Sequence, residues 1–99
     1  MGKLEGKVAI ITGGGKGIGF GIASAFAEEG ANLTITGRTM SRLEAAKEKL
    51  EAEYGVKVLP ITADGADEAS VANVVKQTVE TFGHIDTVVN NAQVSKSGV

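Results

Sequence analysis

Ninety-nine residues, 42% hydrophobic and 22% charged, suit one small globular domain with a modest core. A net charge of −2 with no basic cluster argues against a nucleic-acid footprint or a patch for anionic membrane. Cysteine is absent, which excludes disulfides, thiolate metal sites and thiol chemistry. No apolar run approaches transmembrane length, the N-terminus lacks a signal-peptide pattern, and Gly6 stands where N-myristoylation wants Ser or Thr. A cytoplasmic home is therefore expected.

After a polar lead-in from Met1 to Gly6, Lys7 to Thr12 is nearly all apolar, as in a strand covered on both faces. A first helix is expected from Gly17 to Glu29, with Ile18, Ile22, Ala25 and Phe26 sharing a buried face and Gly30 ending it. Asn32 to Thr36 supplies a second strand. Ser41-x-x-Glu44 reads as the capping box of a second helix, whose stripe of Leu43, Ala46, Leu50 and Tyr54 runs to Gly55. Val56 to Ile61 makes a third strand, and Pro60 near its end suggests an edge or a terminal position. Asp67 is the expected N-cap of a third helix, along which Val71, Val74, Val75, Thr78, Val79 and Phe82 form one apolar face ending at Gly83. Ile85 to Asn90 is the fourth strand, followed by a polar tail. Right-handed crossovers turn this βαβαβαβ order into an α/β, Rossmann-like, doubly wound parallel sheet with strand order 3-2-1-4.

The chemistry lies in the turn after the first strand, Thr12-Gly13-Gly14-Gly15-Lys16-Gly17-Ile18-Gly19. Glycines let backbone N–H groups approach an anion, and the helix N-terminus behind them adds partial positive charge. A glycine cluster alone also makes plain turns. Here a strand precedes it, a helix follows, and a further βαβ unit comes after, which points to a dinucleotide phosphate. The spacing Gly13-x-x-x-Gly17-x-Gly19 is not G-x-G-x-x-G. Nor is it a P-loop, since Lys16 precedes Gly17 rather than Ser or Thr.

About twenty residues on, the end of the second strand is where an acid bonds the adenosine ribose of NAD or an arginine accommodates the 2′-phosphate of NADP. This chain reads Thr36-Gly37-Arg38-Thr39 there, without a carboxylate, and Lys16 offers a second cation. NADP (NADPH) is expected over NAD, against the alternative that Arg38 is a plain surface cation.

The glycine pattern together with Asn90-Asn91-Ala92 after the fourth strand resembles the short-chain dehydrogenase/reductase family, and the likeness covers the entire chain. Within it, the branch containing 3-oxoacyl-carrier-protein reductases and related carbonyl or hydroxysteroid reductases is most similar. The resemblance implies a cofactor set of Gly13, Gly15, Lys16, Gly17, Ile18, Gly19, Arg38, Asp64, Gly65, Asn90 and Ala92. Asp64 and Gly65 would meet the adenine, Asn90 would fix the central strands, and Ala92 would lie by the ribose. It also implies hydride transfer between nicotinamide and a small carbonyl or secondary alcohol, in a homo-oligomer.

Two features depart from the family. Gln93 replaces the last glycine of Asn-Asn-Ala-Gly, where a side chain either crowds the cofactor or points into the substrate cleft. Family members are also well over twice this length, and their serine and Tyr-x-x-x-Lys pair lie beyond the fourth strand. Tyr54, with Lys57 three residues on, has the wrong spacing and the wrong place in the sheet. His84 and Asp86 fall away from the strand ends where ligands sit. The expectation is a cofactor-binding N-terminal part, residues 1–99, with no catalytic set of its own and no activity alone. The alternative is a non-catalytic NADPH-binding or dimerising module.

Overall fold

The computed structural model describes residues 2–15, 17–63 and 68–91. Its elements are β1 (Val8–Thr12), α1 (Gly17–Glu28), β2 (Asn32–Gly37), α2 (Met40–Tyr54), β3 (Val58–Thr62), α3 (Glu68–Phe82) and β4 (Thr87–Val89). All strand pairs are parallel and the sheet order is β3-β2-β1-β4, as the alternating pattern requires. Pro60 lies in β3, an edge of that sheet, where a missing N–H costs least.

Strand periodicity sorts the core into two layers. Ala9 and Ile11 of β1 and Leu33 and Ile35 of β2 pack with Ala23, Ala27, Leu43 and Leu50 of α1 and α2. Ile10 points the other way, toward Val74 of α3 and Ile61 of β3. On that second face Thr34 and Thr78 are buried with their hydroxyl oxygens 2.8 Å apart. Thr78 donates its proton to the carbonyl of Val74 at 2.7 Å, so the Thr34 hydroxyl donates to Thr78. Both polar groups are thereby satisfied inside the sandwich.

The helix-ending glycines behave as expected. Gly30, Gly55 and Gly83 take φ of 96°, 75° and 94°, a left-handed cap that a side chain strains. Helix faces and starts differ from the sequence expectation in three places. In α1 the buried residues are Gly19, Ala23 and Ala27, whereas Ile18 is 74% exposed and Ala25 is exposed. The helix lies so close to the sheet that its small residues are the fully buried ones, while Phe20, Ile22 and Phe26 pack half-buried at the sides of the same core. In α2 the first turn begins at Met40 with Thr39 as N-cap and no side-chain cap bond, so Ser41 sits inside the helix and makes no capping box. The early start puts Leu43 within the formed turn, where it packs under Gly15 and Gly37. The third difference is in α3: only Val74 and Thr78 of its stripe are buried, while Val71, Val75 and Val79 stay largely exposed. The helix sits over Ile10, Thr34 and Ile61, and among the described residues nothing covers its valine row.

Strands β3 and β4 start two residues later than expected, at Val58 and Thr87. In both cases a side chain takes the place of a ladder bond. Asn32 Oδ1 accepts from the Lys57 N–H at 2.9 Å, and Asp86 accepts from the Val8 N–H at 2.8 Å. The expected N-cap Asp67 lies outside the described residues.

Candidate functional site

In a parallel sheet every strand delivers its following loop to the same edge. Here β1 releases Gly13 to Gly15, β2 releases Arg38 and β4 releases Asn90 and Asn91 along one edge. Of the expected cofactor set, Gly13, Gly15, Gly17, Ile18, Gly19, Arg38 and Asn90 are thus gathered there. Lys16, Asp64, Gly65 and Ala92 lie outside the described residues, as does Gln93.

The glycine turn is anchored from below. Gly14 N–H donates to the Thr36 carbonyl at 3.1 Å, tying the turn to β2. The carbonyl of Gly13 is held from the side by the Asn91 amide at 3.5 Å. Helix α1 then starts directly against that carbonyl: a Cβ built on Gly19 would collide with Gly13 and lie 2.9 Å from Asn91 Nδ2. Only glycine allows this approach. Gly17, at φ 60°, has the opposite environment, since its missing Cβ would point into open space. The turn is therefore packed on its inner side and open on its outer side, as a backbone cradle for an anion must be.

Between β1 and β4 the edge is fastened by neutral groups. The Thr12 hydroxyl lies 3.3 Å from the Val89 carbonyl and 3.2 Å from Asn90 Oδ1. Asn90, directly after β4, is thus joined to Thr12 at the end of β1. Asn91 and Thr12 were not anticipated as site residues. The signal for Asn91 was present in its position between Asn90 and Ala92, but only the folded chain brings it to Gly13.

Beside the cradle, Arg38 and Arg42 are both exposed and neither has an ion-pair partner among the described residues. A cleft of about 350 Å³ opens between the turn and α2, lined by Gly15, Gly17, Phe20, Arg42, Ala45, Ala46 and Lys49. Among the described residues its walls carry two cations and no carboxylate.

The far end of the same strand pair carries the remaining titratable groups. Asp86 Oδ2 accepts from the Val8 N–H at 2.8 Å and from His84 Nε2 at 2.9 Å, and the same His84 nitrogen lies 3.1 Å from the Gly6 carbonyl. The Val8 N–H, aided by His84 and Lys7 and opposed by burial, holds the Asp86 carboxyl below the ordinary carboxylate value. These groups clip β1 to β4 at the edge opposite the cradle. Among the described residues no group of His, Asp and Glu could hold a metal ion, and no helix is long and apolar enough to cross a membrane.

A sheet in this order, with a glycine cradle after β1 and two asparagines after β4, defines a Rossmann-type nucleotide-binding fold. The family model for short chain dehydrogenase matches residues 7–99, and the chain belongs to that family. It is 53% identical to a 12alpha-hydroxysteroid dehydrogenase from Clostridium sp., an alignment covering all of this chain and 40% of that protein. Among solved structures it superposes with a TM-score of 0.83 and 41% identity on L-sorbose reductase from Gluconobacter frateurii, complexed with NADPH and L-sorbose. That match covers 89% of this chain and 33% of the reductase. An NAD+-bound xylitol dehydrogenase gives 0.81 and 34% identity, over 87% of this chain and 33% of the other. The chain thus spans about a third to two-fifths of the relatives it matches.

Proposed function

We propose that residues 1–99 form the N-terminal cofactor-binding part of an NADP(H)-dependent oxidoreductase, which transfers hydride between nicotinamide and a small carbonyl or secondary alcohol. The observation that carries the reading is the pairing of an outward-open glycine cradle with an exposed Arg38, without an ion-pair partner among the described residues, and no carboxylate in the Thr36–Thr39 sequence at the end of β2. A carboxylate at this address would repel a 2′-phosphate, whereas an arginine can bond it through two N–H groups. The residues present fit a dinucleotide. Gly13, Gly15, Gly17, Ile18 and Gly19 would face the pyrophosphate, with Lys16 and Arg38 at the 2′-phosphate. Asn90 and Ala92 would lie on the ribose side, and Asp64 and Gly65 at the adenine.

When bound, the cofactor supplies the hydride that reduces a carbonyl carbon, the oxygen taking a proton. This part of the chain binds and orients it, and the proton donor belongs to sequence beyond β4, so the 99 residues alone bind without turnover. The uncovered face of the sheet supports the partial-domain reading. Val88 is in register with Ile10 and therefore lies on the α3 side, where it is 56% exposed, and Val71, Val75 and Val79 of α3 are exposed too. The same face favours a second reading, a self-associating NADPH-binding module. Sedimentation at rising concentration separates the two, since a module that needs no further chain forms a defined oligomer of constant mass.

The cofactor reading is tested by titrating the chain with NADPH and NADH and repeating both with Arg38→Asp. NADPH should bind more tightly to the unaltered chain, and the substitution should cost about tenfold or more in NADPH affinity while sparing NADH. An unchanged preference overturns the 2′-phosphate role of Arg38.

A further inference from the structure

Helix α2 begins against the rules that stabilise helix starts. Its first turn holds no acidic residue and does hold Arg42, a cation placed at the positive end of the helix dipole. Relief from within the helix is missing as well. The residues three and four positions on are Ala45 and Ala46, and the helix has no residue three or four positions back, since Arg38 and Thr39 precede its first turn. No carboxylate pairs with either arginine among the described residues. The turn is nevertheless built into the site, because the backbone and Cβ of Arg42 lie 3.8 Å from where a Cβ on Gly15 would stand. Arg42 also walls the cleft beside Gly15 and Gly17, over a floor of Phe20, Ala45 and Ala46.

Two exposed like charges beside an anion cradle, one of them set against the helix dipole and neither paired among the described residues, suit an anionic ligand. We propose that Arg42 is a second specificity-determining residue, which binds the phosphate monoester on the ribose 2′-oxygen from the α2 side while Arg38 binds it from the end of β2. The inference rests on the NADP reading of the site.

The test is calorimetric titration of the full chain with adenosine 2′,5′-bisphosphate and with 5′-AMP, which differ only in the 2′-phosphate, with inorganic phosphate as a third probe. Arg42→Gln should weaken the bisphosphate about tenfold and leave 5′-AMP unchanged. Its melting temperature should stay level or rise, since a misplaced cation has been removed from the first turn. Equal weakening of both nucleotides, or of neither, overturns the role of Arg42. Arg38→Gln run in parallel separates the two readings, because loss of 2′-phosphate discrimination there, with none in Arg42→Gln, leaves the NADP reading intact. If the unaltered chain binds the bisphosphate no better than 5′-AMP, both fall. Inorganic phosphate that displaces the bisphosphate and is itself weakened by Arg42→Gln to the same degree would reduce the site to a simple anion site and overturn the proposal.

Discussion

Strands β1 and β4 are fastened to one another at both ends, but with different chemistry. At the edge where the strands begin, an acid and an imidazole close the gap: Asp86 takes the Val8 N–H and His84 reaches Asp86 and Gly6. At the edge where they end, the fastening is neutral, through Thr12, Asn90 and Asn91. A carboxylate is a strong acceptor and does well where no anion must come near. Beside a pyrophosphate it would cost affinity through like-charge repulsion, so hydroxyl and amide groups, weaker singly, hold the strands there. On the proposed reading, the difference separates a clip that serves the fold from one that serves the ligand.

The largest effect should come from the cofactor edge, where packing leaves no slack. Gly19→Ala forces α1 off the Gly13 carbonyl and should cost about 2–3 kcal/mol in urea unfolding. Nucleotide binding should be lost even at temperatures where the variant stays folded. A Gly19→Ala chain with native stability and affinity would mean that the close approach of α1 is dispensable.

A change at the opposite edge should show itself through pH. The Asp86 carboxyl is held below its ordinary value in the folded chain, so the unfolded chain binds the proton more readily. The stability it contributes is present above the ordinary carboxylate value and fades as pH falls through the lower folded value. Asp86→Asn should flatten the acid limb of the stability profile and leave nucleotide affinity alone. An acid limb unchanged by Asp86→Asn would show that the clip does not govern it.

The smallest effect is expected from Asn91→Ala. Its bond to Gly13 is long at 3.5 Å, so its loss should cost about 0.5 kcal/mol or less in stability. Because the bond steadies the cradle, the affinity for NADPH should fall by a few-fold without any pH dependence. If Asn91→Ala altered the acid limb, as Asp86→Asn should, the two edges would not be independent.

The fold was legible in the sequence because its signals are local and redundant. The apolar run at Val8 to Ile11, the stop glycines Gly30, Gly55 and Gly83 and the edge proline Pro60 each act through the conformation of their own backbone. Their alternation leaves one parallel order, and the glycine turn with Arg38 some twenty residues on marks the edge proposed here for a dinucleotide.

What the tertiary structure alone decided are the contacts between segments far apart in the chain. Helical spacing marks Ile18 as an inward residue. Only the nearness of α1 to the sheet shows that Gly19, Ala23 and Ala27 face inward instead. Spacing also suggests a capping box at Ser41, but the packing of Leu43 beneath Gly15 and Gly37 starts the helix earlier and brings Arg42 to the cleft. The bond from Asn91 to Gly13 and the pairing of Thr34 with Thr78 join residues 78 and 44 positions apart. No local propensity encodes such pairs, because their geometry exists only after the sheet has closed and the helices have docked on it.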